Sequence, residues 1–259
     1  MTIASADLIA GLAKGLAVLE SFDMQRQRLN ATLAAQRTGL TRAAARRHLL
    51  TLAHLGYLES DGSYFWLSPR VLRFSGSYLA SARLPRLVQP TLNQLALKLR
   101  QPCSVVVLDN DEVVIVARSN TSTTSDMHQL SAYGLHLGAR LPAHATSTGR
   151  MLLASKSQSE WQQWRHEREL PRLTPHTVTQ MESLAPIIEQ VREQDWCYAS
   201  GEHELSVHAV AVPLRDMQGR TVAALNVVLH RATAFDEDAL VAELLPHMLD
   251  AARQVRGQL

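Results

Sequence analysis

The chain has 259 residues, of which 46% are hydrophobic, and a formal net charge of +2. That length and composition fit two soluble domains with their own cores and exclude a disordered chain, and no apolar run is long enough to span a bilayer. The charge is unevenly spread: from Met1 to Arg83 there are ten Lys/Arg against five Asp/Glu, a surplus of +5 that leaves −3 for the remainder. A basic front and a mildly acidic back fit a DNA-binding module joined to a part that does not touch DNA. The N-terminus lacks the layout of a signal peptide, and its apolar residues recur at helical spacing, so a cytoplasmic chain is expected. Cys103 and Cys197 are read as two reduced, buried thiols.

In chain order, residues 12–22 place Leu12, Leu16, Leu19 and Phe22 on one face of a first helix. Residues 30–67 then read as a winged helix-turn-helix. A short helix (Thr32 to Arg37) runs into the turn Thr38-Gly39-Leu40, and a second helix opens at Thr41. Tyr57 to Ser60, the turn Asp61-Gly62-Ser63 and Tyr64 to Leu67 form a two-stranded wing. Thr41 suits an N-cap, because its hydroxyl satisfies a free N–H of the first turn. At about 100° per residue, Ala45, Leu49, Leu52 and Leu55 face the core, and Arg42, Ala43, Arg46 and Arg47 face outward near the N-terminal end. Recognition helices contact base edges with their N-terminal residues, and Arg is the commonest reader of guanine. The expected DNA-facing set is therefore Thr32, Thr41, Arg42, Ala43, Arg46 and Arg47, with phosphate contacts from Ser60, Ser63 and Tyr64 of the wing. A solvated basic face on an ordinary helical hairpin is the plainer alternative. The Gly39 turn, the capping Thr and the wing, occurring in this order, argue against it.

Beyond the wing, Pro69 to Arg83 reads as a linking helix weakened by Gly76, and Pro85 restarts a helix that ends near Gln101-Pro102. The expected divisions are 1–68, 69–84 and 85–259. The back part begins with a hairpin of Ser104–Leu108 and Glu112–Arg118 around Asp109-Asn110-Asp111. A helix capped by Thr146 runs to Ala154, and another lies around Leu184 to Gln194. Strands follow at Trp196–Glu202, His208–Leu214 and Arg220–Leu229, and a last helix starts beyond Asp236. This mixture predicts an α+β domain with one central sheet flanked by helices.

Thr146-Ser147-Thr148-Gly149 opens a helix, where free N–H groups and the dipole favour an anion such as a carboxylate. His144 is close enough in sequence to read a ring hydroxyl or pair with the acid. Arg118 and Arg140 are candidate carboxylate partners, with surface or interface positions as the plainer reading. Asn226 is polar on an apolar strand and needs partners, either structural or from a ligand. Two other functions are weighed. A metal sensor would draw on His128, His136, His144, His203, His208 and Cys197, but no pair shows compact ligand spacing. An enzyme would draw on Glu202 and Glu204 as an acid/base pair and on Cys197 as nucleophile. No phosphate loop, nucleophile elbow or zinc signature accompanies them, and no catalytic residue or cofactor is assigned.

KGLAVLESF, TGLTRAAARRHLLTLAHLGYL and YFWLSPRVLRFSGSYLAS in front, with LGARLPAHATSTGRMLLA and AVAVPLRDMQGRTVAALNV behind, resemble the IclR family of bacterial transcription regulators over nearly the whole chain. RAAARRHLLTL and SPRVLRFSGSYLAS look most like the branch controlling degradation of protocatechuate and 4-hydroxybenzoate. The resemblance implies a winged-helix domain, a dimerising helical linker and a GAF-like effector-binding domain. It also implies dimers or tetramers on pseudo-palindromic operator DNA, with RNA polymerase as a further candidate partner. It places the effector against Pro142 to Ala154 on one wall and against Glu202 to Val212 and the Ala224-Leu225-Asn226 strand on the other. The expected contacts are His144, Thr146, Ser147, Thr148, Gly149, Glu202, Val207, His208, Ala209 and Asn226, with Arg140 as a candidate beside them. Ser206 stands where Gly is usual and His208 where Arg is usual, replacing a fixed charge by a titratable ring. The expected effector is a small carboxylic acid, a hydroxylated aromatic acid by the branch resemblance, with a keto or sugar acid as the alternative.

Overall fold

The computed structural model describes residues 4–23, 26–120, 136–230 and 236–259. The chain separates into two compact units, Met1–Ser81 and Ala82–Leu259. No helix among the described residues is long and apolar enough to cross a membrane.

The first unit contains α1 (Ala10–Glu20), α2 (Ala31–Thr38), α3 (Arg42–His54), β1 (Leu58–Ser60), β2 (Phe65–Leu67) and α4 (Leu72–Ser81). Asn30 caps α2, its Oδ1 accepting the N–H groups of Thr32 and Leu33 at 3.0 Å each. The helix thus starts a residue earlier than expected. Gly39 closes it at φ +68°, a left-handed conformation that Gly adopts without steric cost. Thr41 Oγ1 caps α3 by accepting Ala44 N–H at 3.2 Å. β1 and β2 pair antiparallel with Leu58 opposite Leu67 and Ser60 opposite Phe65, forming the wing. Leu29 exchanges two backbone bonds with Phe65, at 2.9 and 2.8 Å, and ties the wing to the chain before α2. The small core is Val18, Phe22, Leu29, Ala34, Ala45, Leu49, Leu58 and Phe65.

Three sequence expectations need correction here. Leu12 and Leu16 are exposed and Val18 is fully buried, so α1 enters this core only through its C-terminal end. Leu55 is also exposed, because α3 ends at His54 and Leu55 is its C-cap, past the face that Ala45 and Leu49 bury. The segment after the wing is also not one helix: a 3₁₀ turn (Pro69–Val71) precedes α4, which runs through Gly76. Ala82 is extended before the next helix.

The second unit contains α5 (Arg83–Leu99), β3 (Cys103–Asp109), β4 (Glu112–Arg118), β5 (Arg140–Pro142), a 3₁₀ turn (Ala143–Ala145), α6 (Ser147–Ala154), α7 (Gln158–Arg165) and α8 (Met181–Gln194). β6 (Cys197–Ser200), β7 (Val207–Arg215), β8 (Thr221–His230) and α9 (Glu237–Arg256) complete it. The strands form one antiparallel sheet in the order β5-β4-β3-β8-β7-β6. Side chains alternate between its faces. Val210, Val212 and Leu214 of β7, with Leu225, Val227 and Leu229 of β8, pack with Leu92 and Leu95 of α5 and Leu244 and Met248 of α9. Ala211 and Ala224 point the other way, into a core with Met151 and Leu153 of α6, Trp161 and Trp164 of α7, and Ile188 of α8.

Sequence reading anticipated neither β5 nor α7. Yet α7 carries a legible signature, because Ser157 and Glu160 form a capping box at S-x-x-E spacing. The helix expected at Leu184 begins at Met181, and the strand expected at Trp196–Glu202 is confined to Cys197–Ser200.

The first unit's core is small enough that one side chain decides its stability. Leu49→Ala is expected to cost about 2–5 kcal/mol by cavity creation, whereas Leu50→Ala, at the exposed neighbour, should stay within about 0.5 kcal/mol. Urea denaturation of the two variants checks the difference.

Candidate DNA-reading helix and ligand cavity

Arg42, Ala43, Arg46 and Arg47 are all exposed on one face of α3. Other arginines of this unit are engaged: Arg28 pairs with Asp61, Arg37 with Asp23, and Arg70 donates to Leu55 O at 2.6 Å. No acid partners the three arginines of α3 among the described residues, so their charge is directed outward. Thr32 is exposed at the start of α2, and Thr41 at that of α3. In the wing, Ser60 Oγ donates to Tyr64 O at 2.8 Å and accepts Gly62 N–H at 3.0 Å, so this hydroxyl shapes the turn. Asp61 accepts the N–H groups of Ser63 and Tyr64, which, joined by the Arg28 guanidinium, hold its carboxyl below the usual range. Ser63 and Tyr64 are exposed at the tip. Arg28 stacks over Trp66, with its guanidinium carbon 4.6 Å from the ring centroid.

The second unit has a cleft enclosing about 790 Å³, part of it open to solvent, on the sheet face under the N-terminus of α6. Its floor is Ser104 and Val106 of β3, Ile115 and Arg118 of β4, Asn226 and Val228 of β8, Val207 and Ala209 of β7, and Ala199 of β6. The space exists because the inward residues of β6 and β7 are small. Its roof is Ala145, Thr146, Ser147 and Thr148, and the loop Glu202-His203-Glu204 closes one side.

Each polar wall residue has a defined state. Thr146 caps α6 by accepting Gly149 N–H at 3.2 Å and donates to Pro142 O at 3.1 Å. Ser147 is 1% exposed, and its hydroxyl is without a hydrogen-bond partner among the described residues. A buried orphan hydroxyl is uncommon and marks a place where a bound group would bond. Ser104 donates to Asn226 Oδ1 at 2.5 Å, which holds the amide oxygen and leaves the NH2 for the cavity. Burial lowers the Arg118 and His203 pKa values and raises that of Glu204. Glu202 Oε2 is held by Arg150 at 2.5 Å and by Val178 N–H at 3.1 Å.

Thr146, Ser147, Thr148, Glu202, Val207, Ala209 and Asn226 therefore come together around the cavity, and four expected residues do not. Arg140 pairs with Glu112 and Asp109 on the surface, where two carboxylates already satisfy it. His144 is buried off the cavity wall with Nε2 on Pro171 O at 3.1 Å, and burial keeps its pKa below the ordinary value. Gly149 serves packing: a Cβ there would lie 2.2 Å from Ala143 O. His208 faces the opposite side of the sheet from Val207 and Ala209, with Nδ1 at 3.0 Å from both Tyr198 Oη and Ser200 Oγ.

Sequence reading missed Arg150, which is 2% exposed and also donates to His144 O at 2.8 Å. A lone charge in the otherwise apolar TGRMLLA helix was the available signal. Within the expected wall from Glu202 to Val212 it did not single out His203 and Glu204 as contacts, and it ranked Arg118 as a carboxylate candidate below a surface or interface role. Among the described residues no three His, Cys, Asp or Glu side chains could together hold a metal ion, and His128 lies outside them. Burial pushes both thiols up to about 12, so neither is a ready nucleophile.

A winged helix-turn-helix with an outward basic helix, carried with a separate cavity-bearing α+β unit, defines a ligand-responsive DNA-binding regulator. Residues 11–62 match the IclR helix-turn-helix domain, and residues 76–256 match the C-terminal domain of bacterial IclR transcriptional regulators. The chain belongs to the IclR family of transcription regulators. It is 49% identical over 251 residues to the Pca operon regulatory protein of Acinetobacter baylyi, covering 97% of this chain and 89% of that protein. It is 47% identical over 255 residues to the p-hydroxybenzoate hydroxylase transcriptional activator of the same organism, covering 98% and 93%. Among solved structures, it is similar to a double mutant of the Acinetobacter PobR inducer-binding domain in complex with 3-hydroxybenzoic acid. That match has 39% identity and a TM-score of 0.63, and covers 69% of this chain and 100% of that one.

Gly149→Ala tests the close approach that seats the cavity roof. The added methyl would meet the backbone of Ala143, so a loss of about 1–3 kcal/mol is expected, read as a lower melting temperature. Gly76→Ala, which has open space around it, should be neutral or stabilising.

Proposed function

We propose that a symmetric dimer or tetramer places two α3 helices in successive major grooves of a pseudo-palindromic operator. Arg42, Arg46 and Arg47 read base edges beside Ala43, and Thr32, Thr41, Ser60, Ser63 and Tyr64 contact phosphates. Residues 69–84 act as the linker, and RNA polymerase is the partner through which transcription responds. A small hydroxylated aromatic acid occupies the cavity of the second unit. The observation that carries this reading is the cavity wall: the α6 N-terminus, the orphan Ser147 hydroxyl, the Asn226 NH2 and Arg118 all favour an anionic ligand. The relatives regulating the Pca operon and p-hydroxybenzoate hydroxylase support the aromatic class.

A thermal-shift series with 4-hydroxybenzoate, protocatechuate, 3-hydroxybenzoate and aliphatic keto acids tests the ligand class, since a ligand of the folded state raises the melting temperature. A rise with an aromatic acid is expected; a rise with keto acids alone would move the ligand out of that class. In the same series Ser147→Ala should weaken the binding up to about tenfold. It should not lower the melting temperature of the ligand-free protein, because the hydroxyl it removes makes no hydrogen bond among the described residues. On DNA, Arg46→Ala should cost about 1–3 kcal/mol of specific affinity, measured by fluorescence anisotropy at fixed salt. Unchanged affinity would remove Arg46 from the reading set.

A further inference from the structure

The cavity is electrically polar. Arg118 enters from β4, and Glu204 enters from the loop between β6 and β7. In the sheet order β4-β3-β8-β7-β6, β4 and β7 are three strand spacings apart, about 14 Å between backbones, and the loop carrying Glu204 leads into β7. Both residues line the same cleft of about 790 Å³, part of it open to solvent, which has room for one substituted aromatic ring. Among the described residues, the uncharged groups Ser104 of β3 and Asn226 of β8 lie between the ends on the floor, and Ser147 and Thr148 face them from the roof.

Among the described residues, the acidic end has a single uncommitted carboxylate. Glu202 is neutralised by the buried Arg150 and bonded by Val178 N–H. Glu204 is half-buried in the wall, and its carboxylate has no donor among the described residues. A partly desolvated acceptor without a donor is costly, and burial raises its pKa accordingly. A ligand carboxylate placed there would meet like charge; a ligand hydroxyl would supply the missing donor. His203 lies at the same end, and burial favours its neutral ring.

We propose that Glu204 is the specificity residue of this cavity: it accepts a hydrogen bond from the ring hydroxyl of an aromatic acid whose carboxylate lies toward Arg118. The hydroxyl is then read at the end of the ring away from the carboxylate, at the para or meta position. An acid without a hydroxyl leaves Glu204 unpaired and binds more weakly. This rests on the aromatic-acid reading above.

The test is calorimetric titration of full-length protein with benzoate, salicylate (2-hydroxybenzoate), 3-hydroxybenzoate, 4-hydroxybenzoate and 3,4-dihydroxybenzoate. Wild type should prefer the best meta- or para-hydroxylated acid over benzoate and salicylate by about tenfold or more, the scale of a hydrogen bond to a charged group. Glu204→Leu should reduce that ratio to within about threefold, and Glu204→Gln, which keeps an acceptor oxygen, should retain most of it. Arg118→Gln should weaken all the acids together and leave the ratio in place. If the ratio survives in Glu204→Leu, or if benzoate matches the hydroxylated acids in wild type, the proposal is overturned while the aromatic class stands. If none of the acids binds wild type, the aromatic reading falls and takes the proposal with it. Glu204→Leu may be read only from folded protein, and Glu204→Gln provides the second arm: loss of the preference in that variant, with benzoate still binding, also counts against acceptance by Glu204.

Discussion

Strict alternation of side chains across the β7–β8 pair is the constraint on which the second unit depends. One face carries Val210, Val212, Leu214, Leu225, Val227 and Leu229, which fill the space under α5 and α9. The other face carries Ala209, Ala211 and Ala224, and β6 adds Ala199 beside them. Large residues on one side make a packed core; small ones on the other leave volume that α6 can roof without filling. The cavity is a property of residue size and strand parity, and the polar groups are mounted on it. A one-residue slip of either strand would exchange the faces and place larger side chains where the ligand belongs, His208 and Val210 from β7 or Leu225, Val227 and Leu229 from β8.

The same constraint explains how β4 delivers a charge to the cavity. Val105 pairs with Ala117 and Val106 with Ile115, so Val116 is an extra residue on β4. Val116 and Ala117 both join the core under α5 and α9, while Ile115 and Arg118 line the cavity. Without the bulge, the parity set by Ile115 would turn Ala117 inward and Arg118 away. Bulges re-aim side chains in this manner beside binding sites. On the other side of the cavity, the buried Arg150 fixes the loop that carries Glu204, through Glu202. Thr174 and Thr177 support the same loop by donating to Gly201 O and Glu202 O at 2.7 Å each. A buried ion pair adds little net stability over an apolar pair, but breaking one partner leaves a charge stranded. Its value here is geometric: it holds a loop backbone at the edge of a ligand site and removes Glu202 from competition for the ligand.

The legible parts of the molecule were those with short-range physical codes. The caps at Thr41 and Thr146, the Gly39 turn and the period-two runs of β7 and β8 all appear in the structure. The errors fell where a residue's role depends on distant partners. His144 looked like a ligand contact until Pro171 O, 27 residues away, took its ring nitrogen. Arg140 looked like a carboxylate partner until the facing ends of β3 and β4 supplied two acids of the protein's own, Asp109 and Glu112. One error was avoidable: Val207, His208 and Ala209 cannot all face one cavity from a single strand, and alternation alone excludes His208 once its neighbours are placed. Arg118 is a candidate carboxylate partner in the sequence, but nothing there ranks it above Arg140, because the Val116 bulge that aims it has no local signature in a β-branched run.

The first unit shows the reverse division of labour. Its fold consumes the charges it needs locally: Arg28 and Arg37 are paired, and Arg70 serves the carbonyl of Leu55 beneath the ring of Tyr57. Of the arginines left without an acid among the described residues, Arg42, Arg46 and Arg47 share one helix face, which directs part of the positive surplus outward. That supplies affinity for a polyanion in a form that salt weakens. A ligand in the second unit can alter such affinity only by the difference in its binding to two arrangements of the whole protein. A hundredfold change needs about 2.7 kcal/mol of coupling, comparable to one or two hydrogen bonds made in one arrangement and lost in the other. The unpartnered Ser147 hydroxyl and Glu204 carboxylate are groups of that size, both beside backbone set by α6 and its ion-paired loop. Apolar contact along the floor adds affinity in either arrangement; polar groups that the protein leaves unsatisfied can distinguish between them, because their bonds depend on wall geometry to within a few tenths of an ångström.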